Sequence, residues 1–61
     1  MCEFKVYLDG KKIFQDVIYA RIDGNDLVLR DVLGEVQKVT GSRVVEIDVS
    51  SARLVIEQMS R

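Results

Sequence analysis

Histidine, tryptophan and proline are absent from this 61-residue chain, and cysteine occurs once, at Cys2. Each gap removes a class of function. A catalytic triad or metal site that needs an imidazole cannot be built within one copy. A disulfide framework needs paired cysteines, and so does a CxxC redox or zinc motif. No apolar run approaches the ~20 residues of a membrane-spanning helix. No basic stretch followed by an apolar one marks a secretion signal, so a cytoplasmic location is expected. Charge of one sign is also missing: nine Lys and Arg stand against ten Asp and Glu, for a net charge of −1. The cations are scattered, whereas nucleic-acid binders gather theirs into a basic stripe.

What remains is the composition of a small globule, 48% hydrophobic and 31% charged, expected to form one domain over residues 1–61. Folding a chain of this size buries roughly 6000 Å². Taking about 60% of that as apolar, at ~25 cal/mol/Å², gives ~90 kcal/mol. Ordering the chain costs ~1.5 kcal/mol per residue, again ~90 kcal/mol. With no disulfide to add, a partner subunit or a metal is the expected source of further stability.

Three of the glycines lie in polar turn contexts, Asp9-Gly10-Lys11, Asp23-Gly24-Asn25-Asp26 and Thr40-Gly41-Ser42. Asp-Gly is a strong hairpin signal because both residues tolerate positive φ. Between the turns run short segments rich in Val, Ile, Leu and Tyr. They predict about seven strands, over 2–8, 12–15, 17–22, 26–31, 35–39, 43–49 and 53–58. This is an all-β fold, a barrel-like meander. Leu29, Val32, Leu33 and Val36 also have helical spacing, but Gly34 weakens a helix there, and the β reading is preferred for 26–39. Residues 52–59 could form a short helix, but Leu54-Val55-Ile56 favours a strand.

Period-2 alternation assigns the faces. Cys2, Phe4, Val6 and Leu8 share one side of the first strand. Ile18, Ala20 and Ile22 oppose Val17, Tyr19 and Arg21, and Val45, Ile47 and Val49 oppose Val44, Glu46 and Asp48. On this reading Tyr7, Val17, Tyr19, Val28, Val44 and Val55 point away from the main core. Gathered on one sheet face, they would mark the interface of a homodimer.

Cys2 holds the most distinctive chemistry. One reading makes it a small buried hydrophobe on the side of Phe4 and Val6. The other makes it a metal ligand, because the Cys2 thiol lies beside the backbone or terminal nitrogens of Met1 and Cys2, with which it can close chelate rings. One chain offers too few donors. A two-fold dimer presents the same residue twice at its axis, and two sulfurs with two nitrogens suit tetrahedral Zn(II) or planar Ni(II) or Cu(II).

Other chemistry has less behind it. Asp16, Asp23, Asp26, Asp31, Glu35, Glu46 and Asp48 are plentiful, but turns and solvated edges account for them, and no enzyme activity is expected. The glycines do not cluster into a phosphate-cradling loop. An alternative reading is a small β-barrel that binds RNA, with Tyr7, Phe14 and Tyr19 stacking on bases and Lys5 and Arg21 holding phosphates. A structural interaction module without metal is the third possibility.

The start of the chain, Met1-Cys2-Glu3-Phe4-Lys5-Val6-Tyr7-Leu8, resembles that of the CooT family, small nickel-binding proteins linked to carbon monoxide dehydrogenase. The resemblance continues through Asp16-Val17, Leu29-Arg30-Asp31, Leu33-Gly34-Glu35, Val39-Thr40-Gly41 and Glu46-Ile47-Asp48. Its specific part is Met-Cys at the N-terminus of a histidine-free β domain. The resemblance implies a β-barrel-like homodimer with one Ni(II) held by Cys2 of each subunit. It also implies a metallochaperone or nickel-storage role in maturation of the dehydrogenase, whose enzyme or maturation proteins would be the partners. CooT-like proteins have also been labelled as predicted RNA-binding proteins, which keeps that alternative. No histidine-rich tail is present, which favours one stoichiometric site over bulk storage.

Overall fold

Turn chemistry divides the chain at the expected places. The computed structural model describes residues 3–59. Within them run six strands: β1 (Phe4–Leu8), β2 (Lys11–Asp23), β3 (Asp26–Asp31), β4 (Val36–Thr40), β5 (Ser42–Asp48) and β6 (Arg53–Gln58). Asp9 and Gly10 take φ of 52° and 84° between β1 and β2. That left-handed geometry is the one that suits a tight hairpin. All six strands join in one sheet of order β4-β3-β2-β1-β6-β5. Strands β1 to β4 meander antiparallel, and the β5–β6 hairpin returns so that β6 lies parallel to β1.

The seven expected strands become six because 12–15 and 17–22 are two halves of β2. Asp16 sits between them at φ 59°. The register slips there, since Phe4 pairs with Val17 while Val6 pairs with Phe14. This is a β-bulge, which inserts a residue without ending the strand. It also corrects the face assignment. Phe14 and Val17 are three apart, yet both sit on the core side, so Val17 is buried rather than turned outward. In β5 a second slip falls between Val44 and Glu46, and Val44 packs against the core instead of facing away from it.

The 26–39 segment is β3, a turn, then β4, with no helix. Asp31 organises the turn: its Oδ1 accepts hydrogen bonds from the backbone N–H of Leu33 (2.9 Å) and Glu35 (3.0 Å). Only Leu29 of the helically spaced set is buried, while Val32, Leu33 and Val36 are exposed. The 52–59 segment carries β6, as the β-branched run favours.

The sheet curls so that β3 touches β5 across a core of Val6, Val17, Leu27, Leu29, Leu54 and Ile56. Phe4, Leu8, Ile13, Phe14, Val39 and Val44 pack around it. One corner of the curl is stitched shut. A single residue, Gly41 at φ 65°, joins β4 to β5. The carbonyl of Asn25, in the β2–β3 turn, accepts from the N–H of Gly41 (3.0 Å) and Ser42 (3.3 Å), and Met59 N–H donates to the Gly41 carbonyl (2.7 Å). Elsewhere the edge strands β4 and β5 do not pair, so the described sheet is a curled meander and not a closed barrel.

Candidate functional site

The open side of the curl forms an apolar mouth. It is lined by Phe4, Ile47, Leu54 and the β2 run from Val17 to Ala20, which includes Tyr19. Two rows flank it: Ile18, Ala20 and Ile22 along β2, and Val45, Ile47 and Val49 on and just after β5. Period-2 reasoning put both rows in the core, but the structure leaves them in solvent. Ile18 is 45% exposed, Ile22 67%, Ile47 62% and Val49 66%. Their pairing partners confirm the inward side, since Ala20 lies opposite buried Leu29, Ile22 opposite buried Leu27 and Ile47 opposite buried Leu54. Ala20, Ile22 and Ile47 therefore face the interior, but the sheet does not close over them.

The mouth lies beside the entry of β1. Phe4, its first residue, is half-buried in the wall. The turn before β6 fixes that entry. Lys5 N–H donates to the Ala52 carbonyl (2.9 Å), and Ala52 itself takes φ 54°. Asp48 holds the turn, because its Oδ1 accepts from the Ser50 hydroxyl (2.7 Å) and from the N–H of Ser50 (3.1 Å) and Ser51 (3.3 Å). Hydrogen bonding from Ser50, and then from Ser51, lowers the Asp48 pKa below its ordinary value of 3.8, since those donors favour the charged carboxylate. Arg53 Nη2 stands 3.7 Å from Glu46 and 3.9 Å from Asp48 on the outer surface, a geometry worth at most about 1 kcal/mol when exposed.

Met1 and Cys2, the candidate metal ligands, lie outside the described residues. The acidic residues are spread apart. Asp16 marks the bulge, Asp23 and Asp26 face each other beside a turn, Asp31 and Asp48 bind backbone in turns, and Glu46 approaches Arg53. No group of three or more Cys, Asp or Glu among the described residues could hold a metal ion.

The residues considered for RNA are divided as well. Phe14 packs on the core, Lys5 and Tyr7 lie on β1, and Tyr19 and Arg21 lie beyond the bulge of β2. Sequence reasoning missed Arg30, whose Cζ sits 4.6 Å from the centre of the Tyr19 ring. The signal was available. A two-residue turn at Gly24–Asn25 sets Asp23 opposite Asp26, and hence Arg21 opposite Val28 and Tyr19 opposite Arg30.

Compared with known families, residues 1–57 match the model described as CO dehydrogenase accessory protein CooT. The chain belongs to the CooT family. Membership gives the coarse role, that of an accessory protein for CO dehydrogenase. No curated protein matches the chain. No helix among the described residues is long and apolar enough to cross a membrane.

Proposed function

We propose that this CooT protein is a cytoplasmic, non-enzymatic nickel metallochaperone for carbon monoxide dehydrogenase. It acts as a homodimer that carries one Ni(II) between two copies of Cys2. The observation that carries the reading is the position of Phe4. The second residue after Cys2 lines an apolar mouth that the isolated chain leaves uncovered. A second copy is the occupant that fits. The mouth offers aliphatic rows on both sides, a surface that can match itself across a two-fold axis. An axis through the mouth brings the two β1 entries to one place, and Cys2 precedes Phe4 by two residues in the sequence. Two thiolates, completed by backbone or terminal nitrogens of Met1 and Cys2, form a donor set suited to planar Ni(II). Nickel is cargo here, bound and handed on, and the residues that receive it belong to the enzyme or its maturation proteins.

A metal site formed from carboxylates of one chain would need several of them together, and the described residues hold no such group. Titration of the full chain and of Cys2→Ser with Ni(II) tests the proposal. Saturation at one ion per two chains is expected, with a thiolate-to-metal charge-transfer band. The variant should lose both. Unchanged nickel uptake in Cys2→Ser would refute the assignment.

A further inference from the structure

On the far side of the sheet from the mouth, β2, β3 and β4 present a pattern with its own logic. Register places Tyr19, Arg30 and Val36 in one cross-strand row and Arg21, Val28 and Lys38 in the next. The six positions form a checkerboard, with an apolar or aromatic side chain beside a cation in both directions. A depression of about 320 Å³ lies among Tyr19, Arg21, Val28, Arg30 and Val36. Arg30 is held over the Tyr19 ring, 4.6 Å from its centre. Cation–π contact of this kind orients a guanidinium while leaving its N–H groups available to a carboxylate.

Charge on this face is only partly neutralised from within. Lys38 Nζ reaches Asp26 at 3.7 Å. Neither Arg21 nor Arg30 has a carboxylate within ion-pair distance among the described residues. The chain as a whole is slightly acidic, so this is a local excess of positive charge. Strand β4 is also an edge of the sheet, with a side open to an added strand.

We propose that the outer face of β2–β4 docks an extended segment of a partner protein in which every second residue, the set that faces the sheet, is acidic and apolar in turn. Carboxylates meet Arg21, Arg30 and Lys38, and apolar side chains meet Tyr19, Val28 and Val36. An extended segment lying along the strands turns every second residue to the sheet, and Tyr19 and Arg21, Val28 and Arg30, and Val36 and Lys38 are likewise two residues apart along their strands. A nucleic acid fits less well. The cations span only two cross-strand rows, a patch too short to track a phosphate backbone. The proposal does not depend on the Cys2 reading.

The test is a ¹⁵N–¹H NMR titration of the full chain with a synthetic peptide of repeating Glu-Ser-Val-Ser sequence, whose Glu and Val share one face in turn when extended, with oligo-uridine in a parallel series. Saturable shifts confined to β2–β4 amides, including those of Arg21 and Arg30, are expected with the peptide. The Arg21→Glu, Arg30→Glu double variant should weaken binding at least about tenfold, as reversal of interfacial charges does. Lys5→Glu, on β1, should leave it unchanged. Arg30→Gln, which keeps the size and polarity of the side chain, should weaken binding by a smaller factor and serves if the double variant does not fold. Absent shifts, shifts centred on β5 and β6, or equal affinity in Arg30→Gln would overturn the proposal. So would oligo-uridine moving the same amides at lower concentration than the peptide.

Discussion

Ile47→Lys separates a mouth that is covered by a second copy from one that is not. Ile47 leaves 62% of its surface in solvent in the isolated chain. Covering that surface removes on the order of 100 Å² from water, which at ~25 cal/mol/Å² is about 2.5 kcal/mol per copy. A two-fold interface counts the residue twice, giving at most about 5 kcal/mol per dimer. Lysine keeps contact through its aliphatic stem. If about half the contribution survives, the loss is ~2.5 kcal/mol, close to a 100-fold rise in the dimer dissociation constant. The same substitution should change the stability of a lone chain by no more than about 0.5 kcal/mol, because the side chain is already mostly exposed. Sedimentation equilibrium over a concentration series, with a thermal melt at a concentration where both proteins are monomeric, measures the two quantities. An unchanged association constant, or a wild type that stays monomeric throughout, would refute the reasoning and leave the mouth without its proposed cover.

Leu29, 1% exposed, gives the opposite case: Leu29→Ala should cost about 2–5 kcal/mol, read as a clear fall in the chemical-denaturation midpoint of the monomer. Asp48 predicts a dependence on pH. Its pKa is lower in the folded chain than its ordinary value of 3.8, so the stability it contributes is present above that value and is lost as pH falls through it towards the folded pKa. The melting temperature of wild type should therefore fall more steeply than that of Asp48→Ala as pH is lowered below 3.8. Parallel acid profiles would show that the turn does not depend on the carboxylate.

Legibility from sequence follows the distinction between turns and bulges. The turns at Asp9-Gly10 and Gly24-Asn25 are written in residues that tolerate left-handed backbone, and the strands on either side of them fall close to where they are expected. A bulge needs no special residue. Asp16 looks like a strand break but is an insertion within β2, and nothing at Val44–Glu46 marks the slip in β5. Each inserted residue reverses the parity of all that follows, so counting in twos misplaced Val17 and Val44. The same count did place the Ile18 and Ile47 rows on the inward side. It could not show that the curl stops short of covering them, because closure depends on strand curvature and pairing across the whole sheet. For the candidate site, the sequence marked Cys2 by its position. The uncovered surface beside the start of β1 became visible only once Phe4, Ile18 and Ile47 were brought together.

Pairing β1 with β6 has a consequence for when the protein takes shape. The first strand synthesised lies inside the sheet, between β2 and β6, and β6 is the last. The meander from β1 to β4 can form as the chain emerges, but one side of β1 stays open until β6 arrives. Contacts between the two ends of a sequence are slow to form, since a long loop must close before they contribute. The Lys5–Ala52 hydrogen bond that fixes the entry of β1 is therefore among the last to be made. A nascent chain still lacking β6 would leave that entry, two residues after Cys2 in the sequence, without this hydrogen bond.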